Sequence, residues 1–254
     1  MAEEVCPNCG GSGWKIVERD GISGAERCAC SKEGRSQRLE ETAGIPPLYR
    51  NAAFDNFEIP KDNPMAARDL TAVRQTVLNF AHEFPLGQKS GLLLIGDPGS
   101  GKTHLAVAAM RRIIAKGFQG VFYDYQNLLD RIRSGFDPTS GSSDREAYRT
   151  AVEAEVLLLD DLGSHRVLEW IEDVVTSIIT QRCNNRRPLI ATTNLPEPET
   201  GDRRSRKMPD GTTDYRRTLG EYIGERARSR LFEMCNVVRM PFVRDHRLPK
   251  TPAY

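Results

Sequence analysis

Within 254 residues, 36 Lys and Arg stand against 35 Asp and Glu, a net charge of +1. So balanced a chain is not a globally basic nucleic-acid binder, and any such contact must be local. A hydrophobic fraction of 39% and a charged fraction of 28% fit a folded globular protein. No apolar run nears a membrane span and Met1-Ala2-Glu3-Glu4 lacks the character of a secretion leader, so a soluble cytoplasmic protein is expected.

Four of the six cysteines fall in the first thirty positions. Cys6-Pro7-Asn8-Cys9 is a C-x₂-C knuckle and Cys28-Ala29-Cys30 closes the set. In a reducing compartment, clustered cysteines read as a metal site before they read as disulfides. Four thiolates suit tetrahedral Zn²⁺, although C-x-C is tighter than the usual second pair. The competing reading is free thiols in a loose tail. Residues 1–34 are therefore taken as a zinc-binding knuckle, 35–64 as a linker, and 65–254 as the main domain. Ser31 to Glu41 is charged and expected to be a helical tether. Ile45-Pro46-Pro47 breaks it, and Tyr49, Phe54 and Phe57 bring aromatics to the segment ahead of the main domain.

Leu70, Val73, Val77, Leu78 and Ala81 recur at helical spacing and predict a helix from Met65 to Phe84. An apolar strand follows, Leu92 to Ile95, then Gly96-Asp97-Pro98-Gly99-Ser100-Gly101-Lys102-Thr103, a full match to G-x-x-x-x-G-K-[ST]. Glycines let the backbone approach an anion, and successive amides at a helix N-terminus cradle phosphate. Lys102 is placed to reach the β- and γ-phosphates of ATP, and Thr103 to bind Mg²⁺. Further along, strands are expected at Val121–Tyr123, Glu155–Asp161 and Pro188–Asn194. Helices are expected at Lys102–Lys116, Gln126–Arg133, Asp144–Ala154 and Val167–Cys183. Such alternation gives a parallel α/β sheet. Asp160, after the apolar run Val156 to Leu159, is placed to hold Mg²⁺, and Asp161 to orient or deprotonate the attacking water. A simple helix cap is the alternative for this pair. Asn194 closes the next strand and is placed near the γ-phosphate or the water. Pro196 to Arg217 reads as irregular and gathers Arg203, Arg204, Arg206, Lys207, Arg216 and Arg217. One helix is predicted over Tyr222–Met234, carrying Arg226 and Arg230 one turn apart, either as an arginine finger or as a solvated face. A last strand is predicted over Val237–Val243.

Together Gly96 to Ala106 (GDPGSGKTHLA, including His104), Leu157 to Gly163 (LLLDDLG), Ala191 to Asn194 (ATTN) and Gly224 to Leu231 (GERARSRL) resemble the DnaC/DnaI/IstB family of AAA+ ATPases. The resemblance runs from about Ile45 to Val243. Ile45-Pro46, Tyr49-Arg50 and Phe54 through Phe57 resemble the segment that leads into this family's ATPase domain and lies near the adenine, which makes 35–64 a linker and adenine-proximal segment. It implies a three-layer P-loop NTPase with a parallel sheet and a reduced or absent lid. It also implies ATP bound between subunits of an oligomer. By position, Gly96 to His104 bind nucleotide, Lys102 and Thr103 are Walker A, Asp160 and Asp161 Walker B, and Asn194 sensor 1. Arg230 matches the finger, with Arg226 one turn before it, and Arg244 or Arg247 stands for sensor 2. Asp161 departs from the Glu of many such ATPases, which leaves slow hydrolysis open. Partners implied are a replicative DNA helicase with single-stranded DNA, or a transposase if the role is that of a transposition helper. A nucleotide-gated adaptor that does not hydrolyse is a third expectation. The 196–217 segment is longer and more basic than the family pattern, and is expected to be a DNA-contacting loop or a disordered insertion. A solvated loop is the alternative, because Asp202, Asp210 and Asp214 halve its charge.

Overall fold

The computed structural model describes residues 6–10, 12–19, 22–134, 143–164, 168–197, 205–207, 213–215 and 217–247. Five short apolar segments form one parallel sheet. They are β3 (Gly91–Ile95), β4 (Gly120–Asp124), β5 (Val156–Asp160), β6 (Leu189–Thr193) and β9 (Cys235–Arg239). Their spatial order is β4-β5-β6-β3-β9, and every neighbouring pair is parallel. The three central strands are buried at every position. That is why their runs carry no alternation of apolar and polar residues.

Helices cover both faces. On one side pack α2 (Pro64–Glu83) and α3 (Lys102–Ala115). On the other pack α4 (Tyr125–Ser134), α5 (Ser143–Glu153), α6 (Glu169–Asn184), α7 (Leu219–Ile223) and α8 (Glu225–Met234). Asn63 caps α2, its side chain accepting from the Ala66 amide at 3.1 Å, and Pro64 stands at the first helical position. Among the described residues no helix follows β9. The predicted single helix over Tyr222–Met234 is instead two. Gly224 holds φ +84° between α7 and α8, and a side chain there would run into Glu172 of α6. The last strand also sits earlier than predicted, ending at Arg239.

At the N-terminus, β1 (Trp14–Arg19) and β2 (Ile22–Arg27) form an antiparallel hairpin. Polar residues alternate with few apolar ones there, so the pattern alone did not mark strands. The helix α1 (Ala29–Thr42) begins inside the cysteine cluster and runs unbroken through position 34. Its C-terminal end is docked on the sheet and α3. Glu40 takes a 2.6 Å bond from Arg111 of α3, and the Ala43 carbonyl accepts from the Phe122 amide on the outer edge of β4 at 2.7 Å. Ala43, Ile45, Phe54 and Phe57 enter the core beneath α3.

Two short strands, β7 (Ser205–Lys207) and β8 (Thr213–Tyr215), form a hairpin within the segment expected to be irregular. Arg203, Arg204 and Arg216 lie outside the described residues, as do Val167 and much of the loop expected between 135 and 143. No helix of the described residues is long and apolar enough to cross a membrane.

Candidate nucleotide-binding site

β3 ends at Ile95 and the chain turns through Gly96–Gly101 into α3. Gly99 and Gly101 adopt φ +74° and +91°, a region that favours glycine. Close neighbours add a second constraint. A Cβ on Gly101 would meet the Phe57 ring at 2.6 Å, and one on Gly99 would meet the Asp245 carboxylate at 1.9 Å. Lys102 is buried in the first turn of α3, where its Nζ donates to the Asp97 carbonyl at 2.9 Å. Burial lowers its pKa to about 8, with Asp161, Asp160 and Asp97 pulling it back up and Arg247 pushing it down. A buried cation among backbone amides, with a second cation beside it, is an electrostatic setting for a polyphosphate.

Parallel register brings the acidic groups to the same point. Leu159 of β5 pairs with Ala191 of β6, so Asp160 and Thr192 emerge side by side. Thr192 Oγ1 donates to Asp160 Oδ1 at 2.6 Å, and Thr103 Oγ1 donates to the same oxygen at 3.0 Å. Burial raises the Asp160 pKa and the neighbouring Asp161 carboxylate adds to this, opposed by the two hydroxyl bonds. A hard divalent cation would relieve that strain. Thr103 and Asp160 offer the oxygen donors that Mg²⁺ prefers, with room left for phosphate and water.

Asp161 holds φ +55°, a left-handed conformation for a residue with a side chain, at a cost on the order of 1–3 kcal/mol. Its amide donates to Thr192 Oγ1 at 2.9 Å and its carboxylate accepts from Asn194 Nδ2 at 2.8 Å. The strained residue is therefore fixed by β6 at both ends. Lys102, Thr103, His104, Asp161 and Asn194 line one pocket with Tyr49, Pro98, Gly99, Gly101, His246 and Arg247. His104 Nε2 lies 2.8 Å from the Ala53 carbonyl and its ring meets Phe57 edge-on, which ties the aromatic segment to the loop.

Tyr49, in the segment expected near the adenine, lines the pocket. Two contributors escaped the sequence reading. Thr192 was part of the ATTN motif but had no assigned role, and only strand register reveals it. The chain after β9 forms a strap across the phosphate loop. Met240 N donates to Ile95 O at 2.7 Å, its side chain lies over Gly96, and His246 Nδ1 lies 2.5 Å from Gly99 O. Arg247, one of two candidates for sensor 2, lines the pocket, whereas Arg244 does not. Nor do Arg226 and Arg230. Both are exposed on α8, and Arg230 donates to Glu233 at 2.6 Å.

The four N-terminal thiols converge as well. Every ligand atom of Cys6, Cys9, Cys28 and Cys30 lies within 4.8 Å of the others. Cys6–Cys28 and Cys9–Cys30 sulfurs are 3.9 and 3.4 Å apart. A tetrahedral Zn²⁺ with bonds of about 2.3 Å needs sulfurs about 3.8 Å apart, so the cluster fits the ion. Without an ion, hydrogen bonding of the Cys30 S–H to the sulfurs of Cys9, Cys28 and Cys6 holds that thiol in its neutral form.

Residues 32–202 match the family model described as IstB-like ATP binding protein. Replicative helicase loader DnaC of Escherichia coli (strain K12) is 26% identical over 169 residues, 65% of this chain and 66% of that protein, just under two thirds of its length. The phage-like element PBSX protein XkdC of Bacillus subtilis (strain 168) is 24% identical over 196 residues, covering 75% of this chain and 71% of that one. Among solved structures, the crystal structure of the DnaC helicase loader superposes with a TM-score of 0.60 at 30% identity, over 77% of this chain and all of that one. That of DnaI gives 0.55 at 18% identity, over 82% and 100%, a likeness of fold alone.

Proposed function

Because the chain belongs to the family of IstB-like ATP-binding proteins and has the AAA+ fold, we propose that it is an ATPase of helicase-loader type. In this reading it assembles into an oligomer with ATP between subunits and delivers a replicative DNA helicase to single-stranded DNA in the cytoplasm. The observation that supports it most is the meeting of Lys102, Thr103–Asp160 and Asp161–Asn194 at the ends of three adjacent strands. The loop amides and Lys102 hold the β- and γ-phosphates. Asp161, aimed by Asn194 and Thr192, orients a water for attack on the γ-phosphorus and accepts its proton. Mg²⁺ held at Thr103 and Asp160 would neutralise charge that develops on the phosphate oxygens. Asp is a methylene shorter than Glu, so basal hydrolysis is slow until a neighbour closes the site. Arg230, with Arg226 behind it, reaches that neighbour's γ-phosphate. Arg247 supplies a second cation from the same chain. The Cys6–Cys30 knuckle, holding Zn²⁺, docks the helicase, and basic residues of the 196–217 segment contact DNA phosphates.

ATP turnover by the wild type and by Lys102→Ala, with and without single-stranded DNA, tests this reading. DNA-stimulated turnover in the wild type that disappears in the variant is expected. Turnover that survives in Lys102→Ala would overturn the site. ATP binding with no turnover under any condition would favour the adaptor. A second reading, a helper ATPase for a transposase, is favoured by the IstB-like family description. Stimulation of a transposase, rather than helicase transfer, would select it.

A further inference from the structure

The strand end that carries Asn194 is attached to α8 by more than packing. Pro196 O accepts from the Leu219 amide at 3.4 Å, at the start of α7. One residue on, Glu197 is buried to 1% exposure. Its carboxylate takes two bonds from Arg228 of α8, Nε to Oε2 at 2.7 Å and Nη2 to Oε1 at 2.9 Å. A two-point pair of this kind fixes orientation as well as distance. The Arg228 guanidinium also lies 4.9 Å from the Phe232 ring centre, and Glu225 approaches it at 3.5 Å. The Walker B turn packs beside this contact, on the strand end and α7, since a Cβ on Gly163 would run into Leu195 and meet Tyr222 at 3.4 Å. Arg226 and Arg230 flank Arg228 on the next positions but one, and both are exposed.

We infer that Glu197 and Arg228 are positioning residues that lock α8 to the Asn194 strand end, and so set the angle at which a subunit presents Arg226 and Arg230 to its neighbour. This rests on the proposed action of Arg230 between subunits. An ion pair that served folding alone would matter in every subunit equally. A pair that aims a finger matters only in the subunit that donates it.

Mixed oligomers separate the two. A Lys102→Ala chain supplies Arg230 but no working site, and an Arg230→Ala chain supplies a site but no finger. Their mixture is expected to recover turnover at least fivefold over either alone. Adding Glu197→Gln to the Lys102→Ala donor is expected to remove that recovery. Adding it to the Arg230→Ala acceptor is expected to leave recovery within twofold, with its affinity for a fluorescent ATP analogue also within twofold. Glu197→Asp in the donor, which keeps the charge, is expected to restore part of the turnover and covers the case in which the Gln variant folds poorly. Equal effects from donor and acceptor, or none from the donor, would overturn the inference. A parental mixture that recovers nothing would instead remove the finger reading itself, and the inference with it.

Discussion

At the residue scale, the site depends on contacts to which no motif assigns a role. Thr192 is fully buried and serves two masters, donating to Asp160 and accepting from the Asp161 amide. Valine in its place keeps the shape and leaves that amide without its side-chain acceptor. A buried polar group so orphaned costs about 1–3 kcal/mol. Asp161 also sits in a left-handed conformation that needs restraint, so part of that cost falls on the site. Thr192→Val is expected to weaken Mg²⁺-dependent ATP binding about tenfold, read as fluorescence of a labelled ATP titrated with Mg²⁺ and again with EDTA. Equal losses in both titrations would mean that Thr192 acts on folding and not on the metal side of the site. Gly99 makes a parallel case. Its positive φ and the Asp245 carboxylate both exclude a side chain. Gly99→Ala is expected to displace the strap from the loop, exposing the chain after Met240 to limited proteolysis. An unchanged cleavage pattern would show that the strap is held elsewhere.

At the element scale, what could be read from the chain is what local chemistry fixes. The runs Leu92–Ile95, Val156–Leu159 and Leu189–Ala191 are apolar throughout because helices cover both faces of their sheet. The glycines and Lys102 announce their loop because phosphate binding dictates their spacing. The break at Gly224 was readable in principle, since glycine inside a helical pattern marks a possible boundary. The role of Thr192 and the strap were not readable, because both depend on which strands lie side by side. Arg182 belongs with them. It looks like one more charge on α6, yet it is fully buried. Its guanidinium donates to Ala151 O at 2.9 Å and Ala154 O at 3.1 Å, and also to Pro188 O, closing the C-terminus of α5 onto the start of β6. Burial, with Arg187 nearby, lowers its pKa to about 9, which keeps it charged at neutral pH. Arg182→Met would fill much of the volume and take the guanidinium from the Ala151 and Ala154 carbonyls, while Pro188 O keeps the Leu157 amide at 3.2 Å. A loss of about 3 kcal/mol is expected, and so a fall in Tm of about 6–12 °C. A fall of less than 2 °C by calorimetry would show that water replaces the guanidinium.

At the scale of the whole molecule, the cysteine unit and the ATPase domain are joined by a single helix with distinct supports at its two ends. Cys28 and Cys30 sit at the N-terminus of α1, while Glu40 and Ala43 bind α3 and β4 at the other. The β1–β2 hairpin is two-stranded, and its Trp14 and Ile16 are 50% and 86% exposed. An isolated hairpin with so little buried surface is marginal at best in water, and in the proposed reading Zn²⁺ held by the four thiolates would supply its folding energy. The docked end of α1 rests on the core through Leu39 and Ala43, a contact that needs no metal. Chelation is therefore expected to act on one end alone. One zinc per chain is expected by elemental analysis. Its removal should abolish a low-temperature step in the melting curve and any helicase capture, while the Kd for ATP stays within twofold. Cys28→Ser should reproduce the effect without chelator. If ATP binding fell together with the metal, α1 would be transmitting the state of the knuckle to α3 through the Glu40–Arg111 bond. Arg111→Ala should then restore ATP binding to the metal-free protein.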